Sequence, residues 1–300
     1  MAISASPLRP YPDCPLVVAY GLGVDSTAML IEFANRGIKP DLILFADTGG
    51  EKPETYAYLD VIRPYLQKVG FPDVTVVRYQ PKTAVYHTLE GQCLHTGTLP
   101  SLAYGGKSCS LKMKRQPQDK FILERFPPDE FVKQGRRVVR AIGFEAGEER
   151  RTYVAHVVKA IGLDAGEEHR LTWRQETPEK SVRPTRQQWL DEHFFVYWYP
   201  LLSWGHNREC CKQIIFAAGL PVPIKSACYF CPASKKHEIA WLQEHHPELM
   251  ERALAIEQNA QAKLKTVKGL GRSFAWASFL GKHNSLPLFD DFCECPSESK

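Results

Sequence analysis

The chain has no apolar run of 18 residues, so no segment is long enough to cross a bilayer as a helix, and no membrane partner is expected. Its opening, MAISASPLRPYPDCP, lacks the apolar core of a secretion signal, and a cytoplasmic location is expected. Neither sign of charge dominates: 38 Lys and Arg against 34 Asp and Glu leave +4, which says little about partners. Two phosphate-binding signatures are missing as well, Gly-x-x-x-x-Gly-Lys and Gly-x-Gly-x-x-Gly, which excludes the Walker loop and the dinucleotide fingerprint. Charged residues at 24% and hydrophobic residues at 44% lie near the globular average, which rules out a disordered or fibrous chain. A chain of 300 residues buries about 75% of its unfolded surface, so it folds without needing disulfides. Its nine cysteines therefore read as thiols or metal ligands in a reducing compartment.

What the sequence does have is an opening of strand, glycine loop and helix. Leu16–Tyr20 is apolar enough for a buried parallel strand, Gly21–Thr27 carries two glycines, and residues 28–34 read as a helix ending near Gly37. The pattern repeats with a strand over 41–46, a helix over 53–69 and a strand over 74–77, and residues 137–142 supply a further strand. Strands alternating with helices predict βαβ units, hence an α/β fold with an open parallel sheet and helices on both faces. Residues 172–193 are polar with two prolines and read as an exposed connection. A helix is expected from near Asn207 to Gly219, and a last helical region from Pro232. This divides the chain into a nucleotide-binding α/β domain over 1–205 and a mostly helical, cysteine-bearing region over 206–300.

Three features carry chemistry. A strand running into a glycine loop and a helix start aims unpaired N–H groups outward, and the helix dipole favours an anion there by about 0.3–1 kcal/mol. Asp25 and Ser26 sit at that helix start, where they could cap it or reach a ligand. Cys228-x-x-Cys231 puts two thiols on one tight turn, a spacing that suits iron–sulfur, zinc or a redox dithiol. Further thiols stand at Cys109, Cys210, Cys211, Cys293 and Cys295, whereas Cys14 and Cys93 read as ordinary ones. Between Lys107 and Arg140, ten Lys and Arg face four Asp and Glu, a local excess that could hold phosphates or nucleic acid or simply be a solvated face. A short duplication also appears, Ala141–Arg151 recurring as Ala160–Arg170 with eight of eleven positions identical. Either copy could line a site at the end of a strand.

Gly21-Leu22-Gly23-Val24-Asp25-Ser26 resembles the Ser-Gly-Gly-x-Asp-Ser pyrophosphate loop of the adenine nucleotide alpha-hydrolase-like superfamily, with Gly21 in place of Ser and Leu22 in place of Gly. That superfamily includes PP-loop ATP pyrophosphatases and the sulfonucleotide (PAPS) reductases. Asp47-Thr48-Gly49 with Pro53-Glu54-Thr55 is similar to the Asp-Thr-Gly and Pro-Glu-Thr segment of those reductases. Ser108-Cys109 with Lys112 resembles their Cys-Cys-x-x-Arg/Lys element, Pro200-Leu201 with Trp204 their Pro-Leu-x-x-Trp element, and Cys228/Cys231 their Cys-x-x-Cys. The matches run in family order from about residue 16 to 235.

The resemblance implies a nucleotide lying across the carboxyl ends of the strands. Gly21, Gly23, Asp25, Ser26 and Thr27 would hold phosphate, Asp47 and Thr48 would face the nucleotide, and Asp25, Ser26 and Lys112 would act on it, with Lys114 and Arg115 as further cations. ATP and Mg²⁺ are the expected cofactors. A [4Fe–4S] cluster on Cys109, Cys228, Cys231 and a fourth ligand, Cys293 first, is expected in addition, with zinc as the alternative. Relatives adenylylate an oxygen and then insert sulfur into DNA or RNA, commonly with a cysteine desulfurase as sulfur donor, so these are the expected partners. The reductases end in Glu-Cys-Gly-x-His, but this tail reads Phe292-Cys293-Glu294-Cys295-Pro296 and lacks that Gly and His. The expectation is therefore an ATP-pyrophosphatase-type sulfur-transfer enzyme. A sulfonucleotide reductase using another tail cysteine, or a metal-stabilised binding subunit without chemistry, are the alternatives.

Overall fold

Five apolar strands assemble into one parallel sheet: β1 (Leu16–Tyr20), β2 (Leu42–Asp47), β3 (Val74–Arg78), β4 (Val138–Ile142) and β5 (Phe195–Trp198), in spatial order β3-β2-β1-β4-β5. The structure, a computed structural model, describes residues 11–148 and 185–283. Register is set on both sides of the central strand. Val18 of β1 lies beside Ile43 of β2 and beside Ala141 of β4, while Val139 of β4 lies beside Val196 of β5.

The helices are α1 (Val24–Asn35), α2 (Pro53–Lys68), α3 (Leu89–Thr96), α4 (Gln116–Arg125), α5 (Pro128–Lys133), α6 (Arg208–Ala217), α7 (Lys236–His245), α8 (Pro247–Ala260) and α9 (Trp276–His283). Successive strand residues point to opposite faces, and both faces are covered, which is why the strands read as continuous apolar runs. On one face Leu16, Val18, Tyr20, Ile43, Phe45 and Ala141 pack with Phe33 of α1, Ile62 of α2 and Ile215 of α6. On the other, Val17, Leu44, Val138 and Phe195 pack with Ile122 of α4. An open parallel sheet with helices on both faces is thus present.

Two compact units emerge. One gathers the described residues of Met1–Ala46, Pro53–Val77 and Pro117–Ser226, the other those of Asp47–Lys52, Arg78–Gln116 and Ala227–Lys300. A division at 205/206 therefore falls inside the first unit, because α6 supplies Cys211 and Ile215 to the sheet's core. The second unit has its own core of α3, α7 and α8 residues with Met113, Tyr229, Phe230 and Trp276. Its keystone is the buried Glu257, whose carboxylate accepts N–H bonds from Leu270 (2.7 Å), Trp276 (2.9 Å) and Ala277 (3.0 Å) at the start of α9.

One expected loop is ordered instead. Within the described part of 172–193, Thr185 caps a helical turn over Arg186–Trp189 through a reciprocal pair with Gln188, and a π turn over Leu190–Phe194 buries Leu190 and Phe194 before β5. The polar composition of that segment hid the capping box that starts it.

Candidate functional site

The strand order reverses between β1 and β4, because β1, β2 and β3 run to one side and β4 returns to the other. In open α/β sheets ligands bind beyond the carboxyl ends of the strands at such a point. Here that place is occupied by the glycine loop. Leu22 adopts φ +56°, a left-handed backbone that costs a residue with a Cβ about 1–2 kcal/mol, and its side chain is fully buried in the sheet's core. Gly23 is the cap of α1 and offers no side chain to the helix's first N–H groups. Ser26 braces the loop from inside: the Gly21 N–H donates to its Oγ (3.2 Å), and its hydroxyl donates to the Gly23 carbonyl (3.2 Å). Thr27, fully buried, shares a hydrogen bond with the Tyr20 hydroxyl (3.1 Å) and fastens the helix to the strand. Burial raises the pKa of that tyrosine far above its usual value.

Residues distant in sequence close around the loop. A Cβ on Gly143, just past β4, would fall 2.9 Å from the Ser26 backbone nitrogen, so the chain leaving β4 crosses the start of α1 backbone to backbone. A Cβ on Gly23 would fall 2.6 Å from the Ser226 hydroxyl, which therefore overhangs the loop. Arg208, the first residue of α6, forms ion pairs with Asp25 through Nη1 (2.8 Å) and with Glu145 through Nε (3.4 Å), the Asp25 contact lacking the alignment of a hydrogen bond. The buried Cys211 thiol is pushed up to about 12, first by burial and then by the Asp25 and Glu145 charges, with Arg208 opposing. Phe144 and Tyr199 stack at 5.4 Å beyond the carboxyl ends of β4 and β5. Trp204 of the Pro-Leu-x-x-Trp element meets Phe33 edge-on at 6.0 Å and carries Arg36 over its ring at 4.2 Å, which is a packing role on α1.

In the second unit the segment after β2 is buried and polar. Asp47 accepts the Gly49 N–H (2.8 Å) and pairs with Arg78 (2.8 Å). The Thr48 hydroxyl donates to Glu51 (3.3 Å) and lies 3.2 Å from the Cys228 sulfur. Glu51 also accepts from Lys114 (3.0 Å), while its second oxygen is buried and has no hydrogen bond. Burial disfavours the Lys114 charge, yet the Glu51 carboxylate and the Cys228 and Cys231 sulfurs outweigh it and raise its pKa. Burial and Glu51 push the Cys228 thiol well above the usual range. Lys112 is held by Tyr86 (2.8 Å) against the rings of Tyr79 and Tyr86. Both lysines lie on a π turn over Leu111–Arg115, a helical form enriched at functional sites.

Among the sequence-derived site residues, the structure brings Gly21, Gly23, Asp25, Ser26 and Thr27 together in the first unit. It sets Asp47, Thr48, Lys112, Cys109, Cys228 and Cys231 in the second. Cys228 and Cys231 share the turn that spacing predicted, with the Cys231 N–H donating to the Cys228 carbonyl (3.0 Å). Cys109 lies near Cys93, whose thiol burial pushes up to about 12. Cys293, Cys295 and the second copy of the duplication lie outside the described residues. Among the described residues no group of three or more His, Cys, Asp and Glu could hold a metal. The Cys228 sulfur lies 3.2 Å from the Thr48 hydroxyl, a contact of the kind that tunes a ligating thiolate, and the expected fourth ligand Cys293 is outside the described residues. Three cations of the basic stretch 107–140 are engaged by side chains of the fold. Lys114 is bound to Glu51, Arg140 is buried on Asp119 and Gln118, and Lys112 lies on two tyrosines.

Sequence reasoning missed Ser226 and Arg208, and reached Glu145 only as part of the duplicated segment Ala141–Arg151. Arg208 had one available signal, its place at a helix start just after the Trp204 element; Ser226 had none. No protein-family model matches the chain, and no curated protein is similar to it.

Proposed function

We propose that this chain is an ATP-using enzyme of the PP-loop pyrophosphatase type, which adenylylates an oxygen of an acceptor to prepare it for sulfur insertion. One observation carries the reading. A glycine loop with a left-handed turn and an uncapped helix start sits at the switch point of a parallel sheet, closed by Gly143 and overhung by Ser226. A helix start without a side-chain cap and the α1 dipole suit a polyphosphate. The missing Cβ of Gly23 lets the Ser226 hydroxyl close on the loop, where it could meet a phosphate, and Ser26 holds the loop's curvature. Phe144 and Tyr199 present aromatic surface beyond β4 and β5, suited to the flat faces of a nucleotide.

In the reaction the acceptor oxygen bonds to the α-phosphorus as the bond to the bridging oxygen of the β-phosphate breaks. Pyrophosphate departs, and the acceptor's proton passes to solvent. A sulfur nucleophile then displaces AMP. Mg²⁺ fits the donor set, since it is commonly held by one or two carboxylates together with substrate phosphates, and Asp25 would hold it. It would supply charge neutralisation at the phosphates. No step is assigned to a thiol-bound metal. Nucleic acid as acceptor rests on the sequence resemblance.

The test is release of AMP and pyrophosphate from ATP. Asp25→Ala and Ser26→Ala should each lower turnover at least about 100-fold, the loss typical of a removed transition-state contact. Unchanged turnover in both variants removes the loop from the reaction.

A further inference from the structure

The loop holds a contradiction for an anion site. Two carboxylates, Asp25 and Glu145, both largely withdrawn from solvent, stand where a polyphosphate would come. Like charges in one site disfavour each other, and both repel phosphate. Arg208 bridges them, its guanidinium spending one nitrogen on each. That side chain is 46% exposed, so part of its donor fork remains open to solvent. A half-exposed ion pair contributes little to stability, and the arrangement makes better sense as electrostatic preparation of the loop.

We propose that Arg208 is a positioning residue of the nucleotide site: its guanidinium fixes the Asp25 carboxylate at the head of α1, offsets Glu145, and so makes the loop receptive to polyphosphate. The proposal rests on the nucleotide reading above. Arg fits this task better than Lys, because a planar fork can serve two carboxylates at once whereas an ammonium is a point charge. It also explains why the chain leaving β4 is tied to the start of α6, where the Ala146 N–H donates to the His206 carbonyl (2.9 Å). That bond keeps Glu145 within reach of Arg208.

The experiment is a double-mutant cycle in the full-length protein with Arg208→Met, Glu145→Gln and both changes together, plus Arg208→Lys. It is read by ATP binding in calorimetry and by thermal melting without nucleotide. Arg208→Met should weaken ATP binding about 10- to 100-fold, Arg208→Lys less, and adding Glu145→Gln should recover part of the loss, because one of the two carboxylates that Arg208 offsets is gone. A residue that merely supports the fold would not be rescued in this way. ATP binding that Arg208→Met leaves unchanged, or a loss that Glu145→Gln does not recover, overturns the role of Arg208 while leaving the nucleotide reading intact. A wild-type protein that binds no ATP overturns the nucleotide reading and the positioning role with it, and coupling in the melts then shows Arg208 as a counter-ion of the fold alone.

Discussion

Leu22 carries two opposed terms. Its left-handed backbone costs about 1–2 kcal/mol, and burial of its side chain returns about 1.5–3 kcal/mol. Leu22→Gly removes both and leaves a cavity, so a net loss of about 1–3 kcal/mol is expected in chemical denaturation, with the loop's shape kept. Gly143→Ala is different in kind, since its new Cβ would meet backbone and not a flexible side chain. It should cost ATP binding more than it costs stability, as a titration set beside a melt would show. The buried thiols give a pH signature. Cys93 and Cys211 rise from the ordinary 9.0 to about 12, so the folded state keeps protons that the unfolded chain releases. Their contribution is complete below pH 9 and is lost as pH climbs toward 12, at up to about 1.4 kcal/mol per pH unit for each thiol. Melting temperature should therefore fall above pH 9, and Cys211→Ala should flatten the decline. A slope unchanged in that variant would mean its thiol titrates normally. The loop itself was legible in the sequence because a phosphate turn needs contiguous residues of fixed conformation. Even the departure at Leu22 was visible, though not that the backbone stays left-handed there. Ser226 was not legible, and Glu145 only as a member of one of two duplicated segments, since their approach to the loop depends on how distant segments fold back.

At the scale of elements, strands announced themselves by apolar runs, since a parallel strand covered on both faces tolerates little else. The exception is Arg140 in the middle of β4, buried on the α4 face among Phe195 and Tyr197 and bonded to Asp119 and Gln118. Asp119 and Gln118 lie in the first turn of α4, so the pair joins that helix to the sheet. Removing one buried partner leaves an uncompensated charge, and Arg140→Met should cost about 3–5 kcal/mol in a denaturant titration. Adding Asp119→Leu should recover much of it, an outcome that a simple packing defect would not give. The helical turn at 186–194 was read as a loop because its polar residues serve a capping box, whereas Leu190 and Phe194 are buried in the core and Trp189 packs against it. Composition averages such a segment to polar and loses the periodicity.

The whole molecule is woven. The chain leaves the first unit at residue 46, returns at 53, leaves again at 77, returns at 117 and leaves finally at 226. No composition shift marks those crossings, which is why a single boundary near 205 looked natural. A fragment of residues 1–205 lacks α6, so Phe33 and the rest of the α1 face lose the cover of Cys211 and Ile215. It should show no cooperative thermal transition by circular dichroism, whereas the full chain should. Glu257→Ala acts at the same scale, because three backbone N–H groups of the second unit lose one shared acceptor and proteolysis of the region around α9 should quicken.

The placement of β1 at the centre of the sheet bears on how the protein is made. Its first neighbour, β2, follows within about thirty residues, but its second, β4, begins at Val138. At about 5–20 residues per second, a ribosome takes many seconds to deliver that strand, and one whole edge of β1 waits unpaired meanwhile. The nascent chain thus carries an apolar strand with an open edge through most of its first half, the situation that trigger-type chaperones relieve. Slowing translation lengthens that exposure.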